Sequence, residues 1–174
     1  TNTQRLVSRL FGGAIYSYGN ATVAPYSEQF YIGGANSSRA FTIRSVGPGR
    51  YRPADNEYSY MDQTGDLKLE ANTEYRFKLA GSMNGAFFTD AGNIWTIRKD
   101  DDRSGSQFSI SHLPNDLAWD IGFGLRYDLS YLVVRIDAGY ALHVPYENSV
   151  SGYFNMRKNF KDAIGLHIAI GYPF

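Results

Sequence analysis

The chain contains no cysteine among its 174 residues. This absence excludes disulfide bridges, cysteine-based zinc sites and cysteine nucleophiles. The chain also lacks net charge, because 17 Lys and Arg balance 17 Asp and Glu. A nucleic-acid partner is therefore not expected, since phosphate binding needs a basic surplus on one face.

No run of about 18 apolar residues is present, which excludes a transmembrane helix. Membrane-crossing β-strands are not excluded, because each needs only about 9 to 11 residues of alternating polarity.

Signals for catalysis or metal binding are weak. The sequence has no Gly-x-Ser-x-Gly motif, and His112, His143 and His167 lack metal-ligand spacing. The acidic run at 100–102 lacks the glycine and distal glutamate of a calcium loop. The Gly-Phe-Gly at 122–124 has no helix after it, as a nucleotide-binding fingerprint would require. We predict a protein that is not an enzyme and that binds no metal or cofactor.

The sequence is instead rich in long stretches of alternating polarity. In the last one, large apolar residues occupy every second position from Ile164 to Phe174, with small or polar residues between them. Similar stretches, with charges on the second face, occur at 67–79, 117–128 and 134–143, and two further candidate strands lie at 6–18 and 85–95. These stretches exceed the roughly 5 to 6 residues of a typical globular strand and match the length that crosses a bilayer. The pattern predicts an all-β protein with about six antiparallel strands.

The connections between these strands alternate in length. Tight turns are predicted at 81–84 and 128–131, and long polar loops at 20–66, 96–116 and 143–159. Short turns on one rim and long loops on the other are typical of an outer-membrane β-barrel, whose short turns are periplasmic. This pattern places the C-terminus in the periplasm. A secreted β-sandwich is the alternative explanation, disfavoured by strand length and by the difference between the two rims.

Single-chain bacterial barrels close with about 8 or more strands. Six strands are too few, so we expect residues 1–174 to be the C-terminal part of a larger barrel.

Three segments, in order along the chain, carry a more specific pattern. Residues 30–41 read FYIGGANSSRAF and are followed by VGPG at 46–49, residues 69–77 read LEANTEYRF, and residues 85–95 read GAFFTDAGNIW. These segments resemble the hallmark motifs of the BamA/TamA superfamily, also called the bacterial surface antigen superfamily. The resemblance continues through the later strands to the terminal Phe174.

The resemblance implies a transmembrane antiparallel barrel of sixteen strands, of which this chain supplies the last six. It also implies that the loop at 20–66 folds into the lumen, where Arg39 meets Glu74 and Asp90. A guanidinium suits this position because its planar fork can bind two carboxylates at once. Ala40 stands where the family prefers glycine, and its Cβ narrows the accessible backbone conformations.

Further site residues follow from the same motifs. Gly92 is expected to leave room for the loop, and glycines in the last strand, placed at 159–174, are expected to weaken its pairing. Arg126 and Asp137 are interpreted as an ordinary pair of lumen charges. The resemblance also implies that the first and last barrel strands meet at a seam that can open, so we call the last strand the seam strand. The predicted residues are Gly33, Gly34, Phe41, Gly47 and Pro48 in the loop, Phe88, Gly92 and Asn93 in the strand motif, and Gly165, Gly171 and Phe174 in the seam strand.

The function that the resemblance implies is assembly and insertion of outer-membrane proteins. Its implied partners are outer-membrane lipids, unfolded outer-membrane protein clients, and accessory lipoproteins or a periplasm-spanning partner. Two alternatives remain open. One is a pore that secretes a single passenger protein, and the other is the membrane anchor of a patatin-like phospholipase.

Overall fold

The computed structural model describes residues 4–21, 23–53, 61, 63–146 and 160–174. Within these ranges the chain forms six β-strands and two helices of four residues each. The strands are β1 (Gln4–Ala14), β2 (Leu67–Ala80), β3 (Met83–Trp95), β4 (Ala118–Asp128), β5 (Val133–His143) and β6 (Ile164–Ile170), and the helices are α1 (Leu113–Asp116) and α2 (Phe160–Ala163).

The six strands form one sheet in the order β1-β2-β3-β4-β5-β6. Each strand pairs with its sequence neighbours, and every pair is antiparallel. The predicted all-β antiparallel class is therefore confirmed. In the described part of the chain, β1 and β6 are the two edges of the sheet. None of the described helices has the length and apolar character needed to span a membrane.

The two faces of the sheet differ as the alternation predicted, because successive strand residues point to opposite sides. On β6, Leu166, Ile168 and Ile170 are 67%, 74% and 75% exposed on the outer face. On β2, the inner-face residues Glu70 and Glu74 are buried. An apolar outer face and a polar inner face are typical of a barrel wall in a bilayer.

Two strands are shorter than the sequence predicted. β1 ends at Ala14 instead of Tyr18, because its partner β2 begins at Leu67, opposite Ala14. β6 ends at Ile170 instead of Phe174, because Gly171 has φ +85°, a left-handed conformation incompatible with a strand. The predicted start of this strand is also wrong, because residues 160–163 form α2 and β6 begins at Ile164. Position 159 lies outside the described residues, as does most of the predicted loop at 143–159.

The prediction that Phe174 continues the outer face of the last strand is therefore wrong. Beyond Gly171 the chain leaves the sheet, and the guanidinium of Arg9 lies 5.2 Å from the centroid of the Phe174 ring. Arg76 donates a hydrogen bond from Nη2 to the Phe174 carbonyl oxygen at 3.4 Å. Phe174 thus contacts side chains of β1 and β2.

The hydrophobic core lies between the inner face of the sheet and the long loop that joins β1 to β2. The loop contributes Ile32, Phe41 and Val46, all at most 1% exposed. They pack against buried residues that follow or belong to the later strands: Ala118, Ala141, Val144, Tyr146 and Ala163. The loop is thus part of the folded domain.

Candidate functional site

The inner part of the long loop forms a compact hairpin of its own. Gly34 N–H donates to the Phe41 carbonyl oxygen at 2.8 Å, and Arg44 N–H donates to that of Ile32 at 3.0 Å. Gly33 and Gly34 both have positive φ, at 100° and 96°. Residues 35–40 form the tip of this hairpin and lie against the inner face of the sheet.

Ala40, at the tip, does not have positive φ, unlike Arg44 on the same loop. Alanine is therefore compatible with the backbone conformation at this position, and its side chain is buried in the core. The departure from the family's glycine introduces no backbone strain.

The structure brings Arg39 together with Glu74 of β2 and Asp90 of β3. Nε and Nη2 of Arg39 lie 2.8 and 3.0 Å from the two carboxylate oxygens of Asp90, and Nη1 lies 2.5 Å from Oε2 of Glu74. All three side chains are fully buried. The guanidinium carbon also lies 3.5 Å from the centroid of the Phe88 ring, a cation–π contact. Because they are buried, each of these charges depends on its partners for compensation.

Arg126 and Asp137 form the lumen ion pair expected from the sequence, and this pair belongs to the same network. Arg126 contacts Asp137 through Nη1 at 2.5 Å and Glu74 through Nη2 at 2.8 Å. Gly124 makes this possible, because an added Cβ there would lie 1.8 Å from Nη1 of Arg126. The ion pairs therefore run without interruption from Asp90 through Arg39, Glu74 and Arg126 to Asp137.

Two further polar residues hold the tip and were not singled out from the sequence. Asp120 of β4 accepts hydrogen bonds from Ser38 Oγ at 2.8 Å and from Ala40 N–H at 3.3 Å. Asn72 of β2 donates from Nδ2 to the Ser37 carbonyl oxygen at 3.2 Å and to Asp90 at 3.0 Å. Strand alternation places both residues on the polar face, but it does not indicate which residues on that face lie beneath the loop tip.

The tip also rests on two glycines of the last two strands. Gly139 of β5 and Gly165 of β6 are paired across the sheet. A Cβ added at Gly165 would lie 2.5 Å from the Arg39 carbonyl oxygen, and one at Gly139 would lie 2.7 Å from the Ala40 nitrogen. Gly165 therefore permits the loop backbone to approach β6, a role that the sequence did not indicate.

We call the contacts of Ser38, Arg39 and Ala40 with Glu74, Asp90 and Asp120 the tip anchor. A second set of contacts holds the same loop near the end of β3. We call this second set the rim anchor: Gly47 and Gly49 contact Asn93 and Ile94, and Asn93 also binds Asp116. Pro48, between the two glycines, is buried.

In the rim anchor, Gly49 N–H donates to the Ile94 carbonyl oxygen at 2.7 Å. Asn93 donates from Nδ2 to the carbonyl oxygens of Gly49 and Asp116, at 2.9 and 2.5 Å. Gly47 has φ +77°, and an added Cβ would lie 2.4 Å from Oδ1 of Asn93. Burial raises the pKa of Asp116, against the effects of a hydrogen bond from Trp95 and of the nearby Arg50. These contacts use the backbone and close steric fit more than charge.

The remaining predicted residues lie in different places. Gly92 faces the loop, since an added Cβ would lie 2.8 Å from Cδ1 of Ile32. Gly171 ends β6 in open space, with nothing within 4 Å of an added Cβ. Phe174 contacts Arg9 and Arg76, the second of which is paired with Glu74 at 2.7 Å.

No group of three or more His, Asp or Glu side chains suited to a metal occurs among the residues that the structure describes. The arrangement is one that holds a loop.

A six-stranded wall with an apolar outer face, and a loop held on its inner face, agrees with what comparison with known proteins finds. Residues 1–168 match the Omp85 superfamily domain. The chain belongs to the Omp85 superfamily. This Omp85 chain is also similar to the outer membrane protein assembly factor BamA of Neisseria meningitidis serogroup B (strain ATCC BAA-335 / MC58). The two are 30% identical over 99 residues, which cover 54% of this chain and 12% of the relative. Membership indicates an outer-membrane β-barrel protein of the BamA/TamA type.

Proposed function

We propose that this Omp85 chain is the closing part of a barrel that assembles and inserts other β-barrel proteins into the outer membrane. The observation that carries the proposal is the edge of β6. In the described part of the chain, β6 pairs only with β5, while its outer face carries the exposed Leu166, Ile168 and Ile170. In the whole barrel this edge would meet the first strand at a seam, and where such a seam opens, the freed edge can template an incoming strand by main-chain hydrogen bonding.

The properties of β6 support this role. It has seven residues, compared with eleven in β5, so fewer hydrogen bonds hold its free edge to any closing partner. Gly165 adds no side-chain contact to that edge. The loop tip lies against β6 at the same glycine, so movement of the tip would remove a packing contact of this strand.

The proposal includes the setting in which the chain works. Residues 1–174 form the C-terminal part of a sixteen-stranded barrel, the loop at 20–66 inserts into its lumen, and the C-terminus is periplasmic. Its partners are outer-membrane lipids, unfolded outer-membrane protein clients, and accessory lipoproteins or a periplasm-spanning partner. Its role is mechanical, without catalysis. Similarity to BamA and the alternation of short turns with long loops support this setting.

A reversible disulfide across the seam tests the proposal. Ile168→Cys on the outer face of β6 is combined with a cysteine at the facing position of the first barrel strand in the whole protein. Natural cysteine is absent from this chain, so its pairing is unambiguous here. We expect client assembly to stop when the disulfide forms and to resume after reduction. The Ile168→Cys protein without its partner cysteine is the matched control. Normal client assembly in the locked barrel would refute the proposal.

The two alternatives predict other results in the same experiment. A secretion pore would continue to export its passenger through a locked barrel, and a phospholipase anchor would retain lipid hydrolysis. Either result, together with unchanged client assembly, would replace the proposed function.

A further inference from the structure

We propose that Asp120 is a positioning residue for the loop tip, which fixes the backbone on both sides of Arg39 so that the guanidinium reaches Glu74 and Asp90. The consequence for client assembly rests on the proposed function, but the positioning itself does not.

Asp90 and Asp120 accept hydrogen bonds from different polar groups of the tip. Asp90 binds the Arg39 side chain and also accepts its backbone N–H at 3.2 Å. Asp120 accepts from the residues immediately before and after, at Ser38 Oγ and Ala40 N–H. Arginine has a long, flexible side chain, so binding its guanidinium alone leaves the backbone free to move. Together the two carboxylates fix three consecutive residues.

The position of Asp120 is unfavourable unless the carboxylate has such a role. Asp120 lies directly opposite Asp90 in the register of β3 and β4, and both side chains are fully buried. Like charges opposite one another in a sheet are destabilising, more so when they are buried. Oδ1 of Asp120 has no hydrogen-bond partner among the described residues. The other inner-face residues near it on β4, Ala118 and Gly122, are small and uncharged, so neighbouring positions show that this face does not itself require a carboxylate.

The sheet is also irregular at this residue. The register between β4 and β5 shifts between Trp119 and Asp120, which pair with His143 and Ala141. A bulge of this kind locally redirects side chains and is over-represented beside functional sites. Here it occurs where the aspartate meets the loop tip.

The test compares Asp120→Ala with Asp120→Asn in the whole protein, purified and without clients. Trypsin cleavage after Arg39, mapped by mass spectrometry, reports tip release, because Arg39 is fully buried when docked. Cleavage after Lys99, whose side chain is 78% exposed, is the internal control. We expect Asp120→Ala to raise cleavage at Arg39 about tenfold, from the loss of two hydrogen bonds. Asp120→Asn is expected to stay within about twofold of the unmodified protein, since its amide oxygen can accept both bonds.

Several outcomes would overturn the inference. These are unchanged cleavage at Arg39 in Asp120→Ala, a failure of Asp120→Asn to restore protection, or a parallel rise at Lys99 that indicates general unfolding. A matched variant, Ser38→Ala, removes only one of the two bonds and should give an intermediate increase. If Asp120→Ala releases the tip while client assembly stays normal, the positioning role stands, and client assembly does not depend on tip docking. If the unmodified protein assembles no clients while Asp120→Ala still releases the tip, the proposed function fails and the positioning role stands.

Discussion

The tip anchor and the rim anchor hold the same loop by different physical means. The tip anchor is ionic, with Arg39 between two fully buried carboxylates. The rim anchor relies on backbone carbonyls, the amide of Asn93 and the tight fit of Gly47 against it. The first depends on charges whose desolvation is compensated only while all partners remain in place. The second depends on local backbone shape.

This difference suggests how the loop can move. Removing one partner from a buried ion network leaves the remaining charges buried without an opposite charge. The tip should therefore release as a unit. Backbone hydrogen bonds at the rim do not depend on those charges. We therefore expect the tip to detach while the rim stays attached, and four substitutions test this expectation.

The largest effect is expected from Arg39→Ala. It leaves Glu74 and Asp90 buried without their shared cation, a change that costs about 3 to 5 kcal/mol. Trypsin cleavage after the half-buried Arg44 measures tip release, and client assembly measures the functional consequence. We expect fast cleavage at Arg44 and impaired assembly. Arg39→Lys is the matched control, which keeps the charge but loses the planar fork of donors. Its cleavage and client assembly should lie between those of Arg39→Ala and of the unmodified protein. Full loop protection together with full assembly would contradict both the anchor and its role.

A smaller effect at the same anchor is expected from Gly165→Ala. The added Cβ would lie 2.5 Å from the carbonyl oxygen of Arg39, a backbone atom that can move only if the tip moves. Overpacking of this kind costs about 1 to 3 kcal/mol. Cleavage after Arg39 should rise. Gly12→Ala on β1 is the control, since its Cβ would meet a Leu69 methyl at an ordinary 3.5 Å. Equal protection in the two variants would show that the tip does not rest on β6.

Strand content, sheet order and face assignment were predictable, because the two-residue period of a strand is visible in the sequence as alternating apolar and polar residues. The meeting of Arg39 with Glu74 and Asp90 was expected from motif resemblance, and the structure places these side chains in contact. Their function as a lock stays a prediction. Asp120 was missed because alternation shows which face of the sheet a residue is on, but not which residues of that face a distant loop contacts.

Other errors have similar physical causes. Phe174 continued the alternation perfectly in sequence, yet the positive φ of Gly171 ends β6 before it. Arg126 was expected to pair with Asp137, but its second contact, with Glu74, was missed, because the space that Gly124 leaves for it depends on packing between strands. Periodicity carries no information about either feature.

At the rim, Asn93→Ala is expected to cost about 1 to 2 kcal/mol, because the carbonyl oxygens of Gly49 and Asp116 lose their donor. The effect should stay local. Chymotrypsin cleavage after Tyr51 should rise, while trypsin cleavage after the buried Arg39 should not change. A simultaneous loss of protection at Arg39 would show that the two anchors are one cooperative unit and would remove the contrast between them.

The smallest effect is expected from Arg50→Ala, which removes the only charge pair identified between the described loop residues and Asp116. Nε of Arg50 lies 3.4 Å from Oδ1 of Asp116, and the arginine side chain is 46% exposed. Pairs this exposed contribute about 1 kcal/mol or less and are screened by salt. Chymotrypsin cleavage after Tyr51 should therefore change little, and unmodified protein in about 1 M salt should behave like the variant. The backbone bond from Arg50 N–H to the Gly105 carbonyl oxygen, at 3.0 Å, is unaffected by the substitution. If Arg50→Ala instead loosens the rim as strongly as Asn93→Ala, the rim is held by charge like the tip, and selective release of the tip loses its physical basis.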